Sequence, residues 1–527
     1  MENKKQGFIK GALILSLSGF LVKIIGVLFR IPLTNLVGSA AMSYYSSAYS
    51  VYVLLLSVST SGLPTGISVI VSRFSALRQN RSVMKTMRIS LAIFVSFGLI
   101  LSILGSIFSE NIALTMNSSE AWYSVIAIMP SIFFISVVSV FRGFFQGLNN
   151  MTPTAVSNII EACSKLIFGY GFSFWLYTHG YPEEIIVGGA IFGVTVGTVL
   201  SSLYMLIAYF VKRKKIYGLS RKITKENISG RFIFKNLMMI TLPLMLSSVT
   251  SNLMGTIDAF LVMSRMKEYL PLEMAKLNWG AYANMSQTVF NLPSFIIISL
   301  GTSLVPSISS AFTLRRGNEL RGTIEKAFKY TSIIAFGSAF SLYLLSDNFL
   351  SILFGGDPEG VFVAVPLLQI LAFALISVGF TNISASVLHS LGKSYLSVFS
   401  VAVGAVVKTF ATYILVSVPE INIAGAPLAT NIAYPVMMLL NIVFIRKNLG
   451  FLPGFFKNIF LPFLAASFTF LSAYLIFPYF SCFLPLFSNT ILSVFLIFIV
   501  YISLLFFVGA LNFCDFLRIF TKRKKSS

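Results

Sequence analysis

The sequence predicts an all-α polytopic membrane protein of fourteen transmembrane helices, arranged as two six-helix lobes in parallel repeat plus two C-terminal helices. Three observations lead there. Only 11% of the 527 residues are charged and the mean hydropathy is +0.86, against about 25% charged in a soluble domain. Apolar runs long enough to supply the ~20 residues that cross ~30 Å of hydrocarbon recur along the whole chain. Lys and Arg fall almost entirely on one side of those runs. The runs are unbroken rather than alternating, which argues against an outer-membrane barrel.

The runs cover 8–32, 41–72, 86–108, 121–146, 153–179, 185–211, 236–263, 281–311, 327–346, 361–389, 394–418, 423–445, 455–478 and 487–514. The second and eighth contain SGLPTG (61–66) and SLVPS (303–307) and are expected to bend or break there. An even number of spans puts both termini on one side. That side carries 31 of the 39 cations, and the other carries Arg265, Lys267 and Lys276 with most of the acids. The positive-inside rule makes the first side cytoplasmic, in a cell-membrane protein. The net charge of +22 thus sets orientation, and a nucleic-acid partner is not expected.

The most basic loop, residues 212–235, separates an N-lobe (1–211) from a C-lobe (236–447). A final pair of helices and a basic tail complete the chain (448–527). Short stretches recur in register between the lobes. Lys23 precedes Gly26 by three residues, as Asn252 precedes Gly255. QGLNNMTPTAVSNIIEACSK parallels HSLGKSYLSVFSVAVGAVVK, each ending in a mid-helix lysine, Lys165 or Lys408. A parallel repeat implies a substrate site between the halves near the midplane.

Five cations lie inside spans: Lys23, Arg30, Arg142, Lys165 and Lys408. At a lipid-facing helix centre each costs ~2.5–3.5 kcal/mol. Lys23 and Arg30 are seven residues apart, so they share a face to within about 20° and sit ~10.5 Å apart along the axis. Arg30 is near enough to an interface to snorkel and Lys23 is not, which favours a wet cavity for both. Glu161 stands four residues before Lys165, the favourable order for an ion pair on one helix. Arg142 lies near the cytoplasmic end of its span, where it snorkels or joins the cavity set. Asp258 shares a face with Ser247 and Ser251, as an ion-coupling site or as the partner of a buried cation. A surplus of deep cations calls for an anion of about two charges, and diphosphates are natural guests of lysine and arginine.

Other chemistries find little support. The cysteines (Cys163, Cys482, Cys514) and histidines (His179, His389) form no metal-binding spacing. Gly392-Lys393-Ser394 resembles the end of a phosphate-binding loop, but the required upstream glycine is Val387. GAIFGVTVG (Gly189, Gly193, Gly197) is a helix-packing face. Residues 1–30 do not read as a cleaved signal. Short loops without a His/Asp/Glu cluster oppose a glycosyltransferase, so no enzyme activity is expected. The cation surplus opposes a drug/cation antiporter.

SGLPTGISVIVSRF, the turn FRGFFQGLNNMTPTAVSNIIE and the 6+6+2 count together resemble the MOP exporter superfamily. The branch most similar is that of stage V sporulation proteins and polysaccharide exporters, related to the lipid II flippases. The resemblance implies alternating access about a central cavity and a groove in the last two helices for a polyprenyl tail. It also implies essential cavity cations in the first span, matched by Lys23 and Arg30. The second-span arginine of those flippases falls near Ser57 here and the eighth span has no cation, so Lys165 and Lys408 stand in for them. The expected partners are a polyprenyl-diphosphate lipid and the surrounding membrane lipids, with a monomer as the working unit. No cofactor is expected beyond the membrane potential and Na⁺ or H⁺ coupling at Asp258, with Ser247, Ser251, Asn252 and Glu161 nearby.

Overall fold

The computed structural model describes residues 2–60, 62–77, 79–218, 228–481 and 485–511. Part of the basic linker, Cys482, and the C-terminal tail with Cys514 lie outside the described residues. The described residues form helices and turns, with no strand among them. Eleven of the helices are long and apolar enough to cross a membrane, or twelve if the bent pair Gly317–Leu344 and Ser346–Phe354 is one span. The chain divides into two compact units, Met1–Gly280 and Ala281–Ser527. The helix Gly230–Met266 therefore belongs to the first unit.

That unit begins with helical residues Glu2–Thr60, interrupted at Gly38 (φ 78°, ψ 166°), a conformation only glycine adopts cheaply. On a straight helix Phe29 and Tyr45 would be about 24 Å apart. Their ring centroids are 6.0 Å apart, so the chain doubles back at Gly38 and the two arms pack side by side. SGLPTG ends the second arm, and a new helix opens at Leu63 with a proline in its first turn. The SLVPS stretch differs from expectation. The helix Gln287–Thr313 runs through it unbroken, and the irregular turn of that run is a π-helical segment at Ala281–Ser286. Further π-helical segments lie at Leu91–Val95, Lys165–Gly169 and Phe456–Phe460.

The first unit holds two apolar clusters. One gathers Phe29, Leu33, Tyr45, Tyr52, Ile132 and Ile191 around the Gly38 reversal. The other gathers Leu63, Ile67, Phe141, Phe144 and Leu237. The glycine face read from GAIFGVTVG is a packing face. A Cβ on Gly193 would fall 2.3 Å from the backbone of Gly169, so two helices touch main chain to main chain.

In the second unit Phe328, Phe380, Val387, Ile445 and Leu505 form the core. The last two helices, Leu461–Ser481 and Leu486–Phe507, dock on it through hydrogen bonds. Tyr501 donates to the Ile333 carbonyl at 2.9 Å and Asn348 to Thr490 at 3.0 Å.

Gly193→Leu should force the two helices apart and cost about 1–3 kcal/mol by overpacking. The measure is a lowered thermal midpoint in detergent. Phe192→Leu, on the exposed side of the same turn, loses only a ring contact with Phe172 and should lower the midpoint less.

Candidate functional site

The reversal at Gly38 decides where three of the expected cations lie. Lys23 and Arg30 are on its first arm. On its second arm Tyr45, Tyr49 and Tyr52 recur every three or four residues, which puts them on one helical face. Tyr45 stacks on Tyr49 with centroids 5.5 Å apart, and the Arg30 guanidinium carbon is 5.9 Å from the Tyr45 ring. Lys165 enters from another helix, at the first residue of a π-helical turn. Its Nζ lies 4.6 Å from Phe29, 5.1 Å from Tyr49 and 5.5 Å from Tyr45. A desolvated cation–π contact is worth about 2 kcal/mol. Three rings together offset much of the penalty for an ammonium at this depth. Lys23, Arg30 and Lys165 are close enough for each to feel the others' charge.

Two expectations about neighbouring groups are corrected. Glu161 forms no ion pair with Lys165. Its Oε2 accepts a hydrogen bond from Arg142 at 2.9 Å, and Arg142 Nε donates to Ser157 Oγ at 3.0 Å. Arg142 consequently does not snorkel to the interface. It is 15% exposed with its charge balanced across two helices. A carboxylate four residues away on the same helix is taken instead by a planar guanidinium that offers donors in fixed geometry.

The remaining predicted residues fall into two places. In the first unit Asn252 donates to Ser57 Oγ at 2.6 Å and to the Ser248 carbonyl at 3.0 Å. Thr256 donates to the Ser50 carbonyl at 3.1 Å. These bonds fasten Gly230–Met266 to the second arm. Asp258 lies on the same helix and is 3% exposed. The side chains of Ser247 and Ser251 lie outside the described ones. In the second unit Lys408 is 9% exposed, on a helix face with buried Gly404, Ala405 and Thr412.

A family model described as "Polysaccharide biosynthesis protein" matches residues 8–312, more than half of the chain. The chain belongs to the polysaccharide biosynthesis protein family. The MOP superfamily resemblance stands with it. Stage V sporulation protein B of Bacillus subtilis (strain 168) is 26% identical over 456 residues, covering 84% of this chain and 85% of that protein. Lipid II flippase MurJ of the same organism is 22% identical over 457 residues, covering 84% and 83%. Among solved structures, "Lipid II flippase MurJ, inward closed conformation" superposes with a TM-score of 0.71 at 16% identity, over 93% of this chain and 98% of that one. An inward-facing multidrug resistance MATE family transporter of the MOP superfamily gives 0.66 at 15%, over 81% and 94%. At these identities the structures establish the fold alone.

One charged cluster in this polysaccharide biosynthesis family member is not evident from sequence. By position, Lys276 is an orienting cation in an outer loop. In the structure it is 3% exposed. Its Nζ donates to Tyr44 Oη at 2.9 Å and to Glu273 Oε1 at 3.0 Å, and lies 3.7 Å from Glu120. The one sequence signal is the three-residue spacing of Glu273 and Lys276 on Leu272–Gly280. Nothing in the sequence marks Tyr44 or Glu120 as partners. Burial alone would lower the Lys276 pKa, but the bonds to Tyr44 and Glu273 and the charge of Glu120 carry it above the ordinary value.

Arg142→Leu should destabilise the protein by on the order of 3 kcal/mol, because it strands Glu161. The double variant Arg142→Leu/Glu161→Leu should recover most of the loss, read as thermal midpoints in detergent. Lys276→Met should also lower the midpoint. A raised folded-state pKa means that this lysine's contribution is complete at every pH below its unfolded value, 10.5, and is lost only as pH rises through the folded value. The deficit of the variant should therefore stay constant between about pH 7 and about pH 9.

Proposed function

We propose that this protein is a flippase. It moves a polyprenyl-diphosphate-linked glycan precursor from the cytoplasmic to the outer leaflet by alternating access. The single observation that carries the reading is the convergence of Lys23, Arg30 and Lys165 at membrane depth, while Glu161 is engaged by Arg142. Such a group of cations suits a diphosphate, whose oxygens accept charge-assisted hydrogen bonds. Relatives named as a sporulation protein and a lipid II flippase support an envelope glycan as cargo. Lipid II itself is one candidate, and another polysaccharide repeat unit is the alternative.

On this reading the protein has fourteen spans in a 6+6+2 order with both termini cytoplasmic. The Gly38 reversal supports two spans within residues 2–76. The helical residues Ala281–Ser286 and Gln287–Thr313, together long enough to span, support a further one. Lys408 is the second unit's own candidate cation for an anionic cargo, and the tail rests along the last two helices. A cavity of about 90 Å³ there is lined by Thr469, Ala473, Ile476, Leu496 and Val500. An inside-negative potential drives an anion outward by ~2.3 kcal/mol per charge per 100 mV. Asp258 is the coupling site, and the protein works as a monomer.

Reconstituted protein should translocate a fluorescent polyprenyl-diphosphate glycan, and should restore growth to cells depleted of their lipid II flippase. Lys23→Gln, Arg30→Gln and Lys165→Gln should each slow translocation roughly tenfold or more, the loss of one charge-assisted bond. The thermal midpoint should stay unchanged in Lys23→Gln and fall in Lys165→Gln, which also loses its ring contacts. Wild-type rates in all three would overturn the reading.

A further inference from the structure

The helix Gly230–Met266 presents two unlike faces near its start. Ile233 and Leu237 are fully buried in the first unit's core. On the other face runs a groove of about 500 Å³ lined by Arg231, Phe234, Lys235, Met238, Met239 and Leu242. Phe234, Met239 and Leu242 are 43%, 65% and 48% exposed. The apolar wall from Phe234 to Leu242 is about 12 Å long, close to the roughly 15 Å of hydrocarbon in one leaflet. Both cations stand at one end, four residues apart, and among the described residues neither meets a carboxylate. That end is held in place. Lys85 Nζ donates to the Ile228 carbonyl at 2.7 Å, and Ser229 Oγ accepts from the Phe232 amide at 3.2 Å.

We propose that this groove is a binding site for an anionic phospholipid of the cytoplasmic leaflet. The phosphate sits between Arg231 and Lys235, and one acyl chain lies along Phe234, Met238, Met239 and Leu242. Charge complementarity selects an anionic headgroup, since a basic pair at the bilayer surface favours anionic lipids over zwitterionic ones. Depth selects a lipid over a soluble anion: a free phosphate would meet the two cations but leave the apolar wall empty. The site is distinct from the cation cluster at Lys23, Arg30 and Lys165. Its occupant is a resident lipid rather than cargo.

The test uses the full-length protein in nanodiscs with a reporter in the groove, Phe234→Trp, and lipids brominated on the acyl chain. Quenching beyond that of the parent protein reads occupancy. Brominated phosphatidylglycerol should quench at a several-fold lower mole fraction than brominated phosphatidylcholine. Adding Arg231→Gln and Lys235→Gln should abolish that preference, and adding Met239→Asn, which makes the apolar wall polar, should weaken quenching by both lipids, with the cations intact. Equal quenching by the two lipids would overturn the proposal. So would a preference that survives loss of both cations, or displacement of the lipid by millimolar inorganic phosphate. Quenching by a brominated polyprenyl phosphate but not by phosphatidylglycerol would reassign the groove to cargo entry and also overturn it.

Discussion

Lys165 reaches membrane depth with its ammonium against Phe29, Tyr45 and Tyr49. Those rings belong to two arms of chain that meet only because the backbone reverses at Gly38. A cation in hydrocarbon needs something to replace water, and here the replacement is built from ring faces. The same rings lie within the apolar cluster that packs the first unit. Stability and charge placement are therefore not separable at this point. Without the reversal Phe29 and Tyr45 would lie more than four turns apart along one rod, and Lys165 would face lipid or lose its companions.

Much of this is legible in the sequence. The division into arms before and after Gly38 follows from two separate apolar runs, 8–32 and 41–72. The break after Thr60 follows from Gly and Pro in sequence, and the glycine face from its four-residue period. These are local rules acting on neighbouring residues. The pairing of charges is not legible, because it is set by helices meeting in space. Glu161 has a lysine four residues on, yet bonds an arginine nineteen residues back. Lys276 is surrounded by groups from two other parts of the chain, and no spacing rule connects position 276 with 44 or 120. The SLVPS stretch shows the converse failure. A proline within an apolar run suggests a break, yet the helix continues through it while the irregular turn lies some twenty residues earlier.

Membership of the polysaccharide biosynthesis protein family accounts for the frame and leaves the inner lining to this chain. Position 57, a serine bonded to Asn252, is neutral, and the basic character of the interior is carried elsewhere, at 23, 30 and 165. Among the described cations Arg30, Lys165 and Lys276 each meet an aromatic face, and Arg142 meets a carboxylate.

The π-helical turn that begins at Lys165 has a consequence for reading kindred proteins. Such a turn absorbs one surplus residue without breaking the helix, and it rotates everything beyond it relative to a regular spiral. A cousin lacking the surplus residue would show a different side chain to the rings even if every letter up to that point agreed. Matching interior charges between cousins column by column will misplace them on such helices. Superposed side-chain positions are the sound basis for that comparison.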